Sequence, residues 1–272
     1  MVNRSLNTLR WLTAHSIRSN ASPIILLLGA LITAAGCAQP PVITIATDAA
    51  FPPFHFLNDD ESVTGHDIEL AKTVLDHAGY QHRVRVVRPY SQLLDGLENG
   101  EHDMVAATTG ITIERRKRFL FSLPYFKTCQ AFLVRKGTNE PQSRAALAGL
   151  RVGATGTGTS ASARDKVTNV VHVALPSGTD GVDALLAREV DAFVVDEFEA
   201  VAAARTHPEK LAVLPEPAAL ELYGFVMATD RIELLQAVND ALVQLEQDGV
   251  LTEIRKTFGV ARDADWPIVM EE

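Results

Sequence analysis

Short apolar runs rich in β-branched residues alternate along the chain with longer segments whose apolar residues recur every three or four positions. A run of the first kind predicts a buried strand, and a segment of the second kind predicts an amphipathic helix. In the first half, strands are predicted at 42–46, 84–87 and 104–107, and helices at 66–78 and 91–98. Gly79 follows the first of these helices directly, as expected of a helix terminator. The alternation predicts an α/β fold.

The second half of the chain repeats this alternation. Strands are predicted at 150–154, 170–174, 192–196, 211–214 and 224–228, and helices at 163–167, 181–190, 197–205, 234–249 and 251–258. The stretch Pro215 to Ala218 interrupts the pattern and is predicted to be a crossing point between two parts of the fold.

An internal repeat links the two halves. At one constant offset, four residues of the first half match four of the second: Asp95, Leu97, Glu101 and Asp103 match Asp183, Leu185, Glu189 and Asp191. The same offset places Thr108 opposite Asp196, and both lie at the carboxyl end of a predicted apolar strand. Open α/β sheets bind ligands at the carboxyl ends of their strands. The repeat therefore predicts two similar α/β lobes with a ligand cleft between them.

The stretch from Met104 to Phe126 combines a strand, a Thr-Thr-Gly turn and a basic helix. Thr112 is a good helix N-cap, and Arg115 to Arg118 follow in or near the predicted first turn. Cations there oppose the helix dipole, and a bound anion would offset that effect. The threonine hydroxyls, the Gly110 N–H and a guanidinium predict a carboxylate site. The alternative is a solvated basic helix start.

A Gly/Thr/Ser turn opens the second half. Residues 156–161 fit the G-x-G-x-x-A dinucleotide fingerprint, with Asp180 and Asp183 at a suitable distance. The turn also offers the hydroxyls of Thr157, Thr159 and Ser160, which suit a single carboxylate at a helix start. We favour the carboxylate hypothesis because the chain carries an export signal and free nicotinamide cofactor is scarce outside the cytoplasm. No cofactor is expected.

The composition of the chain argues against several classes of partner and site. The 272-residue chain has a formal net charge of −9, which argues against a nucleic-acid partner. The histidines lack paired ligand spacing, so no metal site is predicted, and no serine lies in a Gly-x-Ser-x-Gly context. A pair of glycosidase carboxylates stays open, although no pair is singled out.

The N-terminus predicts export. Arginines precede the apolar run 23–35, which is short for a membrane span and ends in Ala34-Ala35-Gly36-Cys37. This resembles a bacterial lipobox, in which Cys37 would be lipidated after removal of a signal peptide at 1–36. An ordinary signal peptide is the alternative. The other cysteine, Cys129, is then a free thiol, predicted to be a small buried hydrophobe.

Three motifs in order carry a family resemblance. They are TDAAFPPF at 47–54, GHDI at 65–68, and GITIER at 110–115 followed by FSLPY at 121–125. Together they resemble the family 3 extracellular solute-binding proteins, the amino-acid receptors of ABC importers, over residues 42–259. The resemblance implies a type II periplasmic-binding fold of two lobes, two hinge crossovers and a ligand cleft. The first lobe would comprise 37–128 and 221–260, the second 129–220, and the tail 261–272.

The resemblance also implies ligand contacts in both lobes. Arg115 would clamp the ligand α-carboxylate, helped by Thr108, Gly110 and, from the second lobe, Thr159. Gly110 would contribute its backbone only, because the family commonly has serine there.

The remaining implied contacts bind the rest of the ligand. Asp196 would take the α-ammonium, and Asp48 and Phe51 would lie in the loop that meets the side chain. His66 departs from the phenylalanine more common in the family.

The expected function is an exported, lipid-anchored, monomeric receptor that delivers a polar amino acid to a membrane permease. Two other functions stay open: an enzyme like the cyclohexadienyl or arogenate dehydratases, and a sensor that presents its ligand-loaded form to a partner.

Overall fold

The computed structural model describes residues 40–137, 140–156, 158–176 and 178–261. The predicted signal peptide, Cys37 and all of the predicted tail except Ala261 lie outside these ranges. The helices are α1 (His66–His77), α2 (Ser91–Glu98), α3 (Ile113–Arg116), α4 (Thr159–Asp165), α5 (Gly181–Leu186), α6 (Glu197–Thr206), α7 (Ile232–Gln247) and α8 (Val250–Thr257), with a 3₁₀ turn at Ala145–Leu147. Within the described ranges, no helix is both long and apolar enough to cross a bilayer.

Fourteen strands are present in the described residues. They are β1 (Val42–Thr47), β2 (Ala50–Phe51), β3 (His55–Leu57), β4 (Val63–Thr64), β5 (Gln81–Val86), β6 (Met104–Val105), β7 (Leu120–Phe121), β8 (Phe126–Arg135), β9 (Arg151–Thr155), β10 (Val171–Leu175), β11 (Ala192–Asp196), β12 (Leu211–Val213), β13 (Ala219–Tyr223) and β14 (Val226–Met227). Strands β2 to β4 form a small antiparallel sheet.

The first lobe is built on the sheet β5-β1-β6-β14-β7. Strand β1 runs parallel to β5 and β6, and β14 is antiparallel to β6 and β7. Apolar clusters cover both faces of the sheet: Ile45 packs with residues of α1, α7 and α8, whereas Ala46 packs with residues of α2. Burial on both faces explains why neighbouring positions of β1, such as Ile45 and Ala46, are both apolar.

The second lobe is built on the sheet β10-β9-β11-β8-β12, with β13 also paired to β8. Strands β9, β10 and β11 are parallel, whereas β8 is antiparallel to its neighbours. One cluster contains Phe132 and Ala161 of α4, and another contains Leu133 and Leu185 of α5. The two-lobe α/β fold is therefore as predicted.

The chain passes between the two sheets twice, into β8 and out of β13. These strands pair side by side from Phe126 opposite Tyr223, so the predicted lobe boundaries at 128 and 220 fall within them. The predicted crossing point at 215–218 is wrong. The backbone N–H groups of Leu214 and Ala218 still donate to carbonyls of β8, at 3.0 and 2.7 Å. The second crossing comes later, at Gly224.

The internal repeat is visible in the hydrogen bonds. In the first lobe Asp103 Oδ2 accepts from the N–H of Thr44 in β1, at 2.9 Å. In the second lobe Asp191 Oδ2 accepts from the N–H of Arg151 in β9, at 3.0 Å. Aspartates at matching positions thus connect matching strands, which supports the repeat.

Helix α3 corrects one prediction. Thr112 caps it as expected, accepting from the N–H of Arg115 at 3.2 Å, but the helix has a single turn. Because the first and last turns of α3 are the same residues, Arg115 and Arg116 lie near both ends of the helix. A single turn has only a small aligned dipole, so the predicted unfavourable dipole interaction is negligible. Arg118 binds Glu98 on the surface, which agrees with the solvated interpretation for that residue.

Candidate functional site

The loop 108–110 follows β6 and forms one wall of the site. Thr108 has φ +43°, a conformation that a β-branched residue rarely adopts. Its N–H donates to Asp67 Oδ2 at 2.7 Å, and the Tyr125 hydroxyl donates to the same oxygen at 2.7 Å. Asp67 is fully buried at the start of α1. This anchor holds the unusual backbone conformation in place.

Asp67 also binds its neighbour, since its Oδ1 lies 3.0 Å from His66 Nδ1. Burial, and then the charge of Asp67, raise the pKa of Tyr125 well above 10.0. The hydroxyl of Tyr125 therefore stays protonated and remains a donor. The sequence motifs at 65–68 and 121–125 contain Asp67 and Tyr125, but nothing in their spacing indicated that the two residues meet.

A second chain of contacts leads from Thr108 to the predicted side-chain loop. The His55 Nε2 atom lies 3.3 Å from Thr108 Oγ1, and His55 Nδ1 lies 3.1 Å from Asp48 Oδ1. His55 Nδ1 and Asp48 Oδ1 are close to each other but do not form a hydrogen bond, since neither atom has a hydrogen-bond partner. Phe51 lies at the margin, with its ring 5.6 Å from Phe54 and 5.9 Å from His55.

Arg115 lies half-buried beside the same loop, and its Nη1 donates to the Gly110 carbonyl at 2.8 Å. Across the described ranges, no carboxylate lies within 4 Å of this guanidinium, so it forms no ion pair there. Tyr90 and Thr109 line the adjoining wall, with 3.3 Å between their hydroxyl oxygens. Burial raises the pKa of Tyr90.

A carboxylate that the sequence did not predict as part of the site occupies its centre. Glu221 on β13 is 8% exposed, and its Oε2 accepts from Gln130 Nε2. A Cβ added to Gly110 would overlap Glu221 Oε1 and would lie 3.0 Å from Thr159 Cγ2. Gly110 of the first lobe and Thr159 of the second therefore meet at this carboxylate.

The electrostatics of Glu221 follow from this position. Burial raises the pKa of Glu221 above its usual 4.5, and the charge of Asp196 raises it further. Hydrogen bonds from Gln130 and Thr159 and the charge of Arg115 act in the opposite direction. Gln130 is itself oriented by Ser160, whose hydroxyl donates to its Oε1 at 2.6 Å.

Asp196 is the last residue of β11, as predicted, and lies on the wall of the site that the second lobe forms. Its Oδ1 accepts from the N–H of Phe198 at 2.9 Å and so caps α6, and its Oδ2 accepts from the Tyr223 hydroxyl. Burial, and then the charge of Asp196, raise the pKa of Tyr223 well above 10.0. Tyr223 also pairs through its backbone with Gly110. One tyrosine thus links Asp196 to the loop of the other lobe.

The structure brings the predicted residues into one connected region, with only Phe51 at its edge. Glu221, Gln130 and Tyr223 were missed because they lie on β8 and β13, two strands that were not predicted. The predicted hydroxyl Thr157 lies outside the described residues. No cluster of His, Cys, Asp or Glu suited to a metal ion occurs in the ranges that the structure describes.

Several known proteins are similar to this chain in sequence and in structure. A model of the bacterial extracellular solute-binding proteins, family 3, matches residues 43–261. The L-cystine-binding protein TcyJ of Escherichia coli (strain K12) is 29% identical over 221 residues, 80% of this chain and 82% of that protein. A solved ancestral arginine-binding protein bound to arginine is 29% identical, with a TM-score of 0.68 over 81% of this chain and 99% of that one.

A third relative bears on the enzymatic alternative. An ancestral amino acid-binding protein, a precursor of cyclohexadienyl dehydratase, is 25% identical, with a TM-score of 0.66 over 80% of this chain and 95% of that one. It too is named for binding an amino acid. The named relatives are binding proteins, which confirms the prediction of a receptor rather than an enzyme.

Proposed function

The chain belongs to family 3 of the bacterial extracellular solute-binding proteins, and from this premise we propose that it binds one free polar amino acid and delivers it to the permease of an ABC transporter. The observation that carries the proposal is the half-buried Arg115, which forms no ion pair within the described residues and lies beside Gly110 at the cleft. A guanidinium in this setting suits a ligand carboxylate.

The opposite wall supports a zwitterionic ligand. Asp196 lies on the second lobe, and an ammonium group approaching it would replace or join the Tyr223 hydroxyl. A ligand held by Arg115 and Asp196 would connect the two lobes. Its binding energy would then favour the closed arrangement, which is how lobe closure would follow from binding.

Aromatic contacts between the lobes support the same motion. Phe54 of the first lobe packs edge-on against Phe198 of α6, with 4.8 Å between ring centroids. The lobes therefore already share an apolar contact beside the cleft, and Asp48 and His55 lie next to it. Asp48 favours a ligand with a basic or amide side chain.

A thermal-shift screen tests the proposal. The standard L-amino acids and L-cystine are added separately, and we expect one or a few to raise the melting temperature. Arg115→Ala should weaken binding of the best ligand by about 30-fold or more, since truncating one partner of a buried charge pair costs roughly 2–5 kcal/mol. Arg116→Ala, on the exposed side of α3, is the matched control and should bind normally. A screen without any stabilising amino acid would refute the proposal.

We also propose that the mature chain starts at a lipidated Cys37 and acts as a monomer. The mass of the native N-terminal peptide tests the lipid: a diacylglyceryl-cysteine supports it, and an unmodified N-terminus contradicts it. Sedimentation of the chain without its leader tests the monomer.

A further inference from the structure

The Gly110–Glu221 contact puts an anion where the ligand anion is proposed to bind. The Oε1 atom of Glu221 takes the space that a side chain at position 110 would need. The same carboxylate accepts a hydrogen bond from Gln130 Nε2, which also donates to Thr159 Oγ1 at 3.4 Å. Gly110 and Thr159 are also the groups proposed to hold the ligand carboxylate beside Arg115. The carboxylate of Glu221 and that of the ligand would therefore compete for the same hydrogen-bond donors.

We propose that Glu221 is a specificity-determining residue whose carboxylate occupies the ligand-carboxylate position, so that an amino acid binds there with uptake of one proton by Glu221. This inference rests on the proposed function. Glu221 would compete with the ligand carboxylate for its position, whereas Asp196 would attract the ligand ammonium group.

The charges that face Glu221 support proton uptake. Arg115 of α3 is the one cation among the described groups that act on it, whereas Asp196 of β11 adds a second negative charge. Tyr90 and Tyr223 lie close enough for Glu221 to affect their titration, and both remain neutral because burial raises their pKa. A ligand carboxylate would bring a further negative charge. Carboxylates that share a site cannot both ionise easily, so one keeps a proton.

The protonated form also fits the contacts better. A neutral Glu221 carboxyl has one O–H donor, which it can offer to the ligand carboxylate. Burial and Asp196 already raise the pKa of Glu221, so little further change is needed. An acid whose pKa rises on binding takes up a proton between its free and bound pKa values. Affinity is therefore highest at low pH and falls as pH rises through that window.

Calorimetric titration measures this directly. The strongest stabiliser from the amino-acid screen, histidine excepted because its side chain titrates, is injected in two buffers of different ionisation enthalpy. We expect uptake of close to one proton, and a loss of affinity approaching tenfold per pH unit as the pH rises from the free towards the bound pKa of Glu221. Glu221→Gln should remove the proton uptake and should bind at neutral pH as tightly as the unchanged chain, or more tightly.

A matched control is available on α6. Glu199 also has a carboxyl pKa raised by desolvation and by Asp196, although its side chain reaches solvent. Glu199→Gln should keep the proton uptake. Proton uptake that survives in Glu221→Gln would belong to a group that both variants keep, such as His55, and would overturn the inference.

A second variant acts on the same contact from the other side. Gly110→Ala would displace the flexible end of Glu221 and should also reduce the proton uptake. If instead Glu221→Gln weakens binding tenfold or more at every pH, Glu221 attracts a ligand cation and the inference is wrong. Binding without proton uptake refutes the inference alone. A chain that binds no amino acid at any pH refutes the proposed function.

Discussion

Asp67 anchors the geometry of the loop 108–110. One fully buried carboxylate accepts from the Thr108 N–H and the Tyr125 hydroxyl and contacts His66. It fixes a left-handed Thr108, whose neighbours include Gly110. The carboxylate therefore does not need to touch a ligand to affect its binding.

Replacing this carboxylate should affect stability and affinity together. We expect Asp67→Asn to lower the free energy of unfolding by about 3 kcal/mol, because charge-assisted hydrogen bonds are lost in a buried site. Tyr125→Phe removes one donor only and should cost about 1 kcal/mol. Urea denaturation compares the two variants, with an unchanged slope indicating a true stability effect. Equal losses would contradict the central role of Asp67.

At the same scale, sequence reasoning found the residues that motifs mark and missed those that only the fold brings together. Arg115 follows a Thr-x-x-Arg pattern, and Asp196 follows an apolar strand, so both were predictable. Glu221 and Gln130 are polar residues at buried strand positions. Their burial is the opposite of what periodicity assumes, and it becomes visible only when β8 and β13 pair.

Among the elements, the predicted bounds of α1, α2, α6, α7 and α8 were within two residues of those observed, whereas the short α4 and α5 were misplaced by up to four residues. The strands β8 and β13 were not predicted, since β8 begins with mixed polar and apolar residues and β13 carries a buried glutamate. The predicted crossing at 215–218 failed because prolines interrupt the strand pattern without ending the pairing with β8. Proline marks an irregular backbone, not a change of lobe.

Helix α3 depends on its cap. Because it has a single turn, Thr112→Ala should cost about 1 kcal/mol of stability and should also weaken ligand binding through Arg115. Thr112→Ser keeps the hydroxyl and serves as the control. Melting temperatures with and without ligand measure both effects. Normal ligand binding in Thr112→Ala would show that Arg115 is positioned independently of the cap.

Helix α5 starts at Gly181, which packs directly on the buried ring of Phe193. A Cβ at this position would overlap that ring, so Gly181→Ala should destabilise the protein by about 2 kcal/mol. Gly158, at the start of α4, has φ −80° and no atom within 4 Å of an added Cβ. Gly158→Ala should therefore lose only the N-cap preference for glycine, at about 0.5–1 kcal/mol. Chemical denaturation distinguishes the two, and equal losses would contradict the packing argument.

For the whole molecule, the internal repeat uses the same device twice, an aspartate that connects neighbouring strands. In the second lobe, hydrogen bonds from Arg151 lower the pKa of Asp191 to about 2. Arg135 also donates to this carboxylate, at 3.1 Å. The repeat could be predicted from sequence because its four matching residues keep one spacing, whereas the arginine partners follow no such pattern.

The depressed pKa of Asp191 gives a pH signature. A folded pKa below the unfolded value of 3.8 contributes stability that is present above 3.8 and is lost as pH falls towards 2. Asp191→Asn should therefore be less stable than the unchanged chain by about 1–2 kcal/mol at neutral pH, allowing for solvent screening. The difference should shrink on acidification. A difference that is constant from neutral to acidic pH would contradict it.

The tyrosine that links the two walls has a spectroscopic consequence. The two tryptophans, Trp11 and Trp266, lie outside the described residues, and Tyr223 donates to Asp196 beside the cleft. A phenol that donates to a carboxylate fluoresces weakly. A chain that lacks its leader and carries Trp266→Phe would emit from its four tyrosines alone, and the emission of Tyr223 would be weak while it donates to Asp196. When the ammonium group of a ligand displaces the Tyr223 hydroxyl from Asp196, the fluorescence of Tyr223 should increase. Ligand binding would then be measurable without an added dye.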